Sequence, residues 1–130
     1  RQLRKIRAFA FTFEQGRCYS ACIFILSGAT KRGLSSSIGI HRPYSTSGEL
    51  DHNKIDSSQR RLEKLAKEYL REVNVSPDLY DLMNTIPPEK IYFPPEYELQ
   101  KLGIIETDPV QQEFEDSNEA QSFGISKIEY

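Results

Sequence analysis

The sequence of 130 residues predicts one α/β domain with a tail, and three observations carry that expectation. Ala8 to Phe13 is short and aromatic-rich, and it passes through a glycine-containing turn into the small and apolar run Ser20 to Ala29, the order of a strand, a turn and a buried helix. Ile38-Gly39-Ile40 is a minimal strand running into His41, closed by Arg42-Pro43 because proline has no N–H to give to a ladder. Further along, apolar residues recur at helical spacing over two stretches.

Taken in order, Arg1 to Arg7 reads as the end of a helix that started earlier, with Leu3 and Ile6 on one side. Ala8 to Phe13 is expected to be a buried strand, bounded by the Glu14-Gln15-Gly16 turn. Ser20 to Ala29 is apolar or small almost all round, which places that helix inside the domain. Lys31-Arg32-Gly33 breaks it, Leu34 to Ser37 reads as loop, and Tyr44 to Lys54 as a polar, mobile loop.

The cleanest periodicity follows. Leu62, Leu65, Ala66, Tyr69, Leu70 and Val73 obey the i, i+3, i+4, i+7 rule, with charged residues opposite them. Ser76-Pro77-Asp78 opens a second helix, with Leu79, Leu82, Met83 and Ile86 as its stripe. Pro87-Pro88 stops it, Lys90 to Phe93 can form a strand, and Pro95 to Leu102 a short helix ending at Gly103. Ile104-Ile105 is expected to be a strand edge, and Asp108-Pro109 to cap a polar helix closed by Gly124, with one more helix begun at Ser126.

Composition narrows the function. With 38% hydrophobic residues the chain can build one core but not two comfortable ones. A formal net charge of −2 argues against nucleic acid as a partner. The basic start and acidic end both fall on expected helices, where charge marks a solvated face. The longest apolar run, Ala21 to Leu26, is far too short to span a bilayer, and no signal-peptide pattern opens the chain. With just two histidines in the chain, no ligand set of zinc-site spacing can be assembled, and no cofactor or metal is expected. Cys18 and Cys22 are taken as small buried apolar residues in preference to a disulfide or a metal pair, although an oxidised pair would point to export.

One arrangement stands out for chemistry. A strand-to-helix turn aims the Ser20 hydroxyl outward, and free N–H groups in the first turn of the helix can hold an oxyanion. His41 ends a later strand. Serines also cap helices for structural reasons alone, so the pattern leaves both roles open.

Gly16-Arg17-Cys18-Tyr19-Ser20-Ala21-Cys22-Ile23-Phe24 resembles, without a gap, the segment around the nucleophile of the Clp protease proteolytic subunit, and Ile38-Gly39-Ile40-His41-Arg42-Pro43 resembles that family's strand ending in histidine. The CYSAC and GIHRP motifs, with Phe123-Gly124-Ile125-Ser126 and Glu129-Tyr130 near the end, are closer still to bacterial exported Clp-protease-like proteins. The order of the downstream segments agrees, so the resemblance covers nearly the whole chain.

The resemblance implies a Clp-protease/crotonase-like ββα spiral core, N-terminally incomplete, over residues 1–106, and a helical C-terminal extension over 107–130. It implies a serine peptidase with Ser20 as nucleophile, His41 as general base and the Ala21 N–H as an oxyanion donor. It further implies a peptide or protein substrate, a homo-oligomer and a periplasmic or exported location, with the cytoplasm as the alternative. Two departures accompany it: the family's double-glycine strand would precede residue 1, and Ile91 stands where the family has its aspartate. Glu89, two residues earlier on the same expected strand face, is the candidate orienting carboxylate, with Asp51 and Asp108 behind it. The competing readings are a non-catalytic scaffold or oligomerisation domain, and a cysteine nucleophile at Cys22 or Cys18.

Overall fold

The computed structural model describes residues 1–34, 36–43, 52–106 and 109–124. A one-turn helix, α1 (Gln2–Lys5), leads into β1 (Phe9–Thr12) and then β2 (Cys18–Tyr19), followed by α2 (Cys22–Ser27). The next two strands, β3 (Lys31–Leu34) and β4 (Ile38–Gly39), return in parallel beside the first two, β3 on β1 and β4 on β2. Two small parallel sheets result, with α2 between the first two strands and the next two in the chain. The α/β class expected from the sequence is what the chain forms.

β3 falls where a helix break and a loop were expected. Its burial explains why: Arg32 is only 5% exposed, and its guanidinium donates to the Ser27 carbonyl (2.7 Å) and the Val73 carbonyl (3.3 Å). A charged side chain enters the interior there by satisfying backbone oxygens, which residue type alone does not announce. The stretch Ala8 to Phe13, expected to be buried, also departs, because Phe9 and Phe11 of β1 and Phe13 just after it are exposed. α2 is shorter than the apolar run and is not enclosed on every side: Ile23, Leu26 and Ser27 are buried, whereas Ile25 is 66% exposed.

The helical half follows. α3 (His52–Glu72) starts inside the segment read as loop, whose residues 44–51 lie outside the described ones. Ala66, Leu70 and Val73 of its stripe are buried, but Leu62 and Leu65 are exposed. α4 (Asp78–Thr85) begins as expected, the Asp78 N–H donating to the Ser76 hydroxyl (3.2 Å), and it buries Leu79, Tyr80 and Met83. Lys67 joins the two helices, with Nζ 2.7 Å from Asp81 and 2.8 Å from Glu63.

Tyr92 meets Ile40 in a single antiparallel bridge instead of a strand over 90–93. α5 (Glu96–Lys101) ends in paired bonds, Ile104 N–H to Leu99 O and Gly103 N–H to Gln100 O, both 2.9 Å. Gly103 takes the left-handed φ of +76° that this closure needs, as its place in the sequence implied. Ile104 is fully buried in a bend, so no strand forms at 104–105. α6 (Pro109–Ser122) packs on the start of β3, where buried Gln111 meets Thr30 (3.4 Å) and Glu115 meets Lys31 (3.5 Å). Asp108 and residues 125–130, including the ending that carried part of the resemblance, lie outside the described residues.

One core holds these layers together. Ile23 and Leu26 of α2, Ile38 and Ile40, Leu70 and Val73, Leu79 and Met83, and Leu99, Leu102 and Ile104 form a single buried cluster. No helix among the described residues is long and apolar enough to cross a membrane.

Candidate active site

Among the described residues three non-glycines have a left-handed backbone: Arg7 (φ 51°), Ser20 (φ 54°) and Asn74 (φ 57°). Two of them close helices. Ala8 N–H reaches Leu3 O (2.8 Å) around Arg7, and Val75 N–H reaches Leu70 O (2.9 Å) around Asn74, the usual use of this conformation at a helix end. Ser20 closes no helix; it stands between β2 and α2. The conformation costs about 1–2 kcal/mol at a residue with a Cβ, so the surroundings must impose it.

The surroundings that do so are identifiable. The Ser20 N–H donates to Gly39 O (2.9 Å), and the Ser20 carbonyl accepts from Ile23 N–H (3.2 Å). A Cβ at Gly39 would lie 2.6 Å from Ile91 Cγ2 and 2.7 Å from the Tyr19 ring, so a larger residue there displaces these side chains. Cys18 and Cys22, on either side of Ser20, are joined in a disulfide with Cα atoms 5.2 Å apart. This overturns the reading of both cysteines as unpaired apolar residues. A spacing of four fits one helical turn, but Cys18 belongs to β2 and only Cys22 to α2, with the turn at Ser20 between them. The pairing also removes both sulfurs as nucleophiles in this state.

The parallel register, Cys18 with Ile38 and Tyr19 with Gly39, sets Ser20 level with Ile40, one residue before His41. Adjacent strands lie about 4.8 Å apart, so both residues leave the same edge of one strand pair, the carboxyl end where α/β folds place ligands. Both are half-buried. Among the described residues the Ser20 hydroxyl and the imidazole share no hydrogen bond. His41 Nδ1 lies 2.9 Å from the Arg42 carbonyl oxygen. That oxygen can only accept, so Nδ1 carries the proton, and in the neutral ring the lone pair is on Nε2.

Ala21 is exposed at the start of α2, and its N–H donates to no backbone acceptor among the described residues. Glu89 is not on a strand. It is exposed in the turn closed by Lys90 N–H to Pro87 O (3.0 Å), and no contact among the described residues ties it to His41. Asp51 and Asp108 lie outside the described residues. Ile91 packs its side chain against Gly39. What sequence reasoning missed is the Arg42 carbonyl, a backbone partner that no residue type signals.

A broad open groove of about 740 Å³ lies nearby, lined in part by Leu34, Ser36, Ile38, Phe93 and Leu99. Neither Ser20 nor His41 lines it, but Phe93 meets the Tyr19 ring edge-on, with centroids 5.7 Å apart. Among the described residues no three His, Cys, Asp or Glu side chains gather as metal ligands.

No protein-family model and no curated protein matches the chain. Among solved structures it is similar to a 1510-N membrane-bound stomatin-specific protease, a mutant in complex with a substrate peptide, with a TM-score of 0.53 and 22% identity. The match covers 81% of this chain and 48% of that one, so this chain spans about half the length of that relative. The fold is therefore one that a protease uses.

Proposed function

We propose that this protein is a serine hydrolase, a peptidase that transfers an acyl group through Ser20 and His41. The observation that carries the proposal is the left-handed backbone at Ser20, at a strand-to-helix junction where no helix closure calls for it. In this reading the His41 Nε2 takes the proton from the Ser20 hydroxyl as the oxygen attacks a peptide carbonyl. It then returns that proton to the leaving amine, and water releases the acyl group in the reverse sense. The Ala21 N–H faces the developing oxyanion. A peptide substrate accords with the complex of the structural relative. The Arg42 carbonyl takes over the orienting part that Glu89 was expected to play.

A fluorophosphonate probe tests this on the full-length protein. Labelling of wild type that disappears in Ser20→Ala and His41→Ala supports the hydrolase. Absence of labelling in folded wild type rejects it and favours the second reading, a non-catalytic scaffold or oligomerisation domain. That reading draws on the unbonded Ser20–His41 pair and on the exposed Phe9, Phe11 and Phe13. The exposed aromatic row also supports a homo-oligomer, to be checked by light scattering. The Cys18–Cys22 bond accords with export to an oxidising compartment, to be checked by cell fractionation.

A further inference from the structure

We infer that the Cys18–Cys22 disulfide is a positioning device for Ser20, and that reducing it disarms the site without unfolding the domain. The inference rests on the hydrolase reading for its consequence in activity, but its structural content stands apart from that reading. The covalent link closes a loop of five residues with Ser20 at its centre, one end on β2 and the other on the first residue of α2. Among the described residues two backbone hydrogen bonds otherwise hold Ser20, from its N–H to Gly39 O and from Ile23 N–H to its carbonyl. Arg7 and Asn74 hold the same left-handed conformation through paired helix-closing bonds, and Ser20 lacks that closure. With the link cut, a serine returns to the right-handed or extended backbone its Cβ prefers, and the hydroxyl turns away from the strand edge. Cys18 is 2% exposed, but Cys22 is half-buried, so a reductant meets the bond from the Cys22 side.

The step is a two-electron reduction. A dithiol such as dithiothreitol attacks one sulfur, the S–S bond breaks, both cysteines take up a proton as thiols, and the dithiol leaves as its cyclic disulfide. Oxidised glutathione reverses it by accepting the two electrons. Ser20 keeps its chemistry throughout and loses only its aim.

The test follows backbone hydrogen exchange and probe labelling together, on the full-length protein with and without dithiothreitol. Reduction is expected to speed exchange at the Ser20 and Ile23 amides by about tenfold, with the core amides of Leu70 and Val73 unchanged. Fluorophosphonate labelling should fall in its saturating rate rather than in its concentration dependence, and should return on reoxidation. In the Cys18→Ala/Cys22→Ala variant the fast exchange at Ile23 should be slowed again by adding Ser20→Gly, because glycine takes a left-handed φ without penalty.

Equal exchange at Ser20 before and after reduction overturns the inference, whatever the labelling shows. So does acceleration at Leu70 and Val73 to the same degree, which makes the bond a general staple. A protein that never labels, yet shows the local change at Ser20 and its rescue by glycine, keeps the positioning device and refutes the hydrolase.

Discussion

Arg42 is fastened to the end of α4 twice, by its N–H to Ile86 O (2.8 Å) and by Nε to Asn84 O (3.1 Å), and that attachment fixes the carbonyl against which His41 rests. Arg42→Ala removes one of the two fastenings and leaves the imidazole itself in place. Its labelling rate is expected to fall about tenfold, short of the 10²–10⁴ that loss of a general base costs; an unchanged rate assigns Arg42 no part in orienting the ring. Gly39→Ala acts from the other side. The added Cβ meets Ile91 and Tyr19 and pushes Gly39 O away from the Ser20 N–H. A loss of about 1–3 kcal/mol in a urea titration is expected, the usual cost of overpacking, together with slower labelling. The helix after Ser20 and the strand before His41 were legible because they are local patterns. The Arg42 carbonyl and the disulfide were not, since a backbone acceptor has no sequence signature and the cysteine spacing fits a helix as well as a turn.

Among the elements, α3 shows how far periodicity reaches. Its stripe was plain in the sequence, yet only its second half is covered: Leu70 and Val73 are fully buried, whereas Leu62 is 47% and Leu65 53% exposed. Spacing reports that one face is apolar but not what lies opposite each turn of it. Leu70→Ala is expected to cost about 2–5 kcal/mol by leaving a cavity among α2, α4 and β4 residues. Leu65→Ala should stay within about 0.5 kcal/mol, as exposed positions do. Urea midpoints of the two variants check both, and equal losses would show that the first half of α3 is covered in solution. The same limit explains β3. Lys31, Arg32 and Gly33 have little preference for a strand by type, and they form one because β1 offers a parallel edge and two carbonyls receive the Arg32 guanidinium.

At the scale of the molecule, three tyrosines and one lysine among the described residues point to one pH limb. Burial raises the Tyr69 and Tyr80 hydroxyls above their ordinary value, a hydrogen bond to Glu98 raises Tyr92, and hydrogen bonds to Asp81 and then Glu63 raise Lys67. A group whose pKa is higher folded than unfolded stabilises the fold fully below its unfolded value. That contribution is lost as pH climbs through the folded value. All four have ordinary values of about 10 to 10.4, so the melting temperature should fall as pH rises beyond about 10. Tyr69 separates this from general alkaline damage, because its hydroxyl both resists ionisation and donates to Phe24 O (2.7 Å), tying α3 to α2. Tyr69→Phe removes that bond at every pH, costing about 0.5–1.5 kcal/mol near neutrality. It also removes one ionisable group from the alkaline limb, so its melting temperature should start lower than that of wild type at pH 8 and fall less steeply toward pH 11. Circular dichroism melts across that range decide the matter: parallel curves would mean that the Tyr69 hydroxyl titrates alike in the folded and unfolded chain.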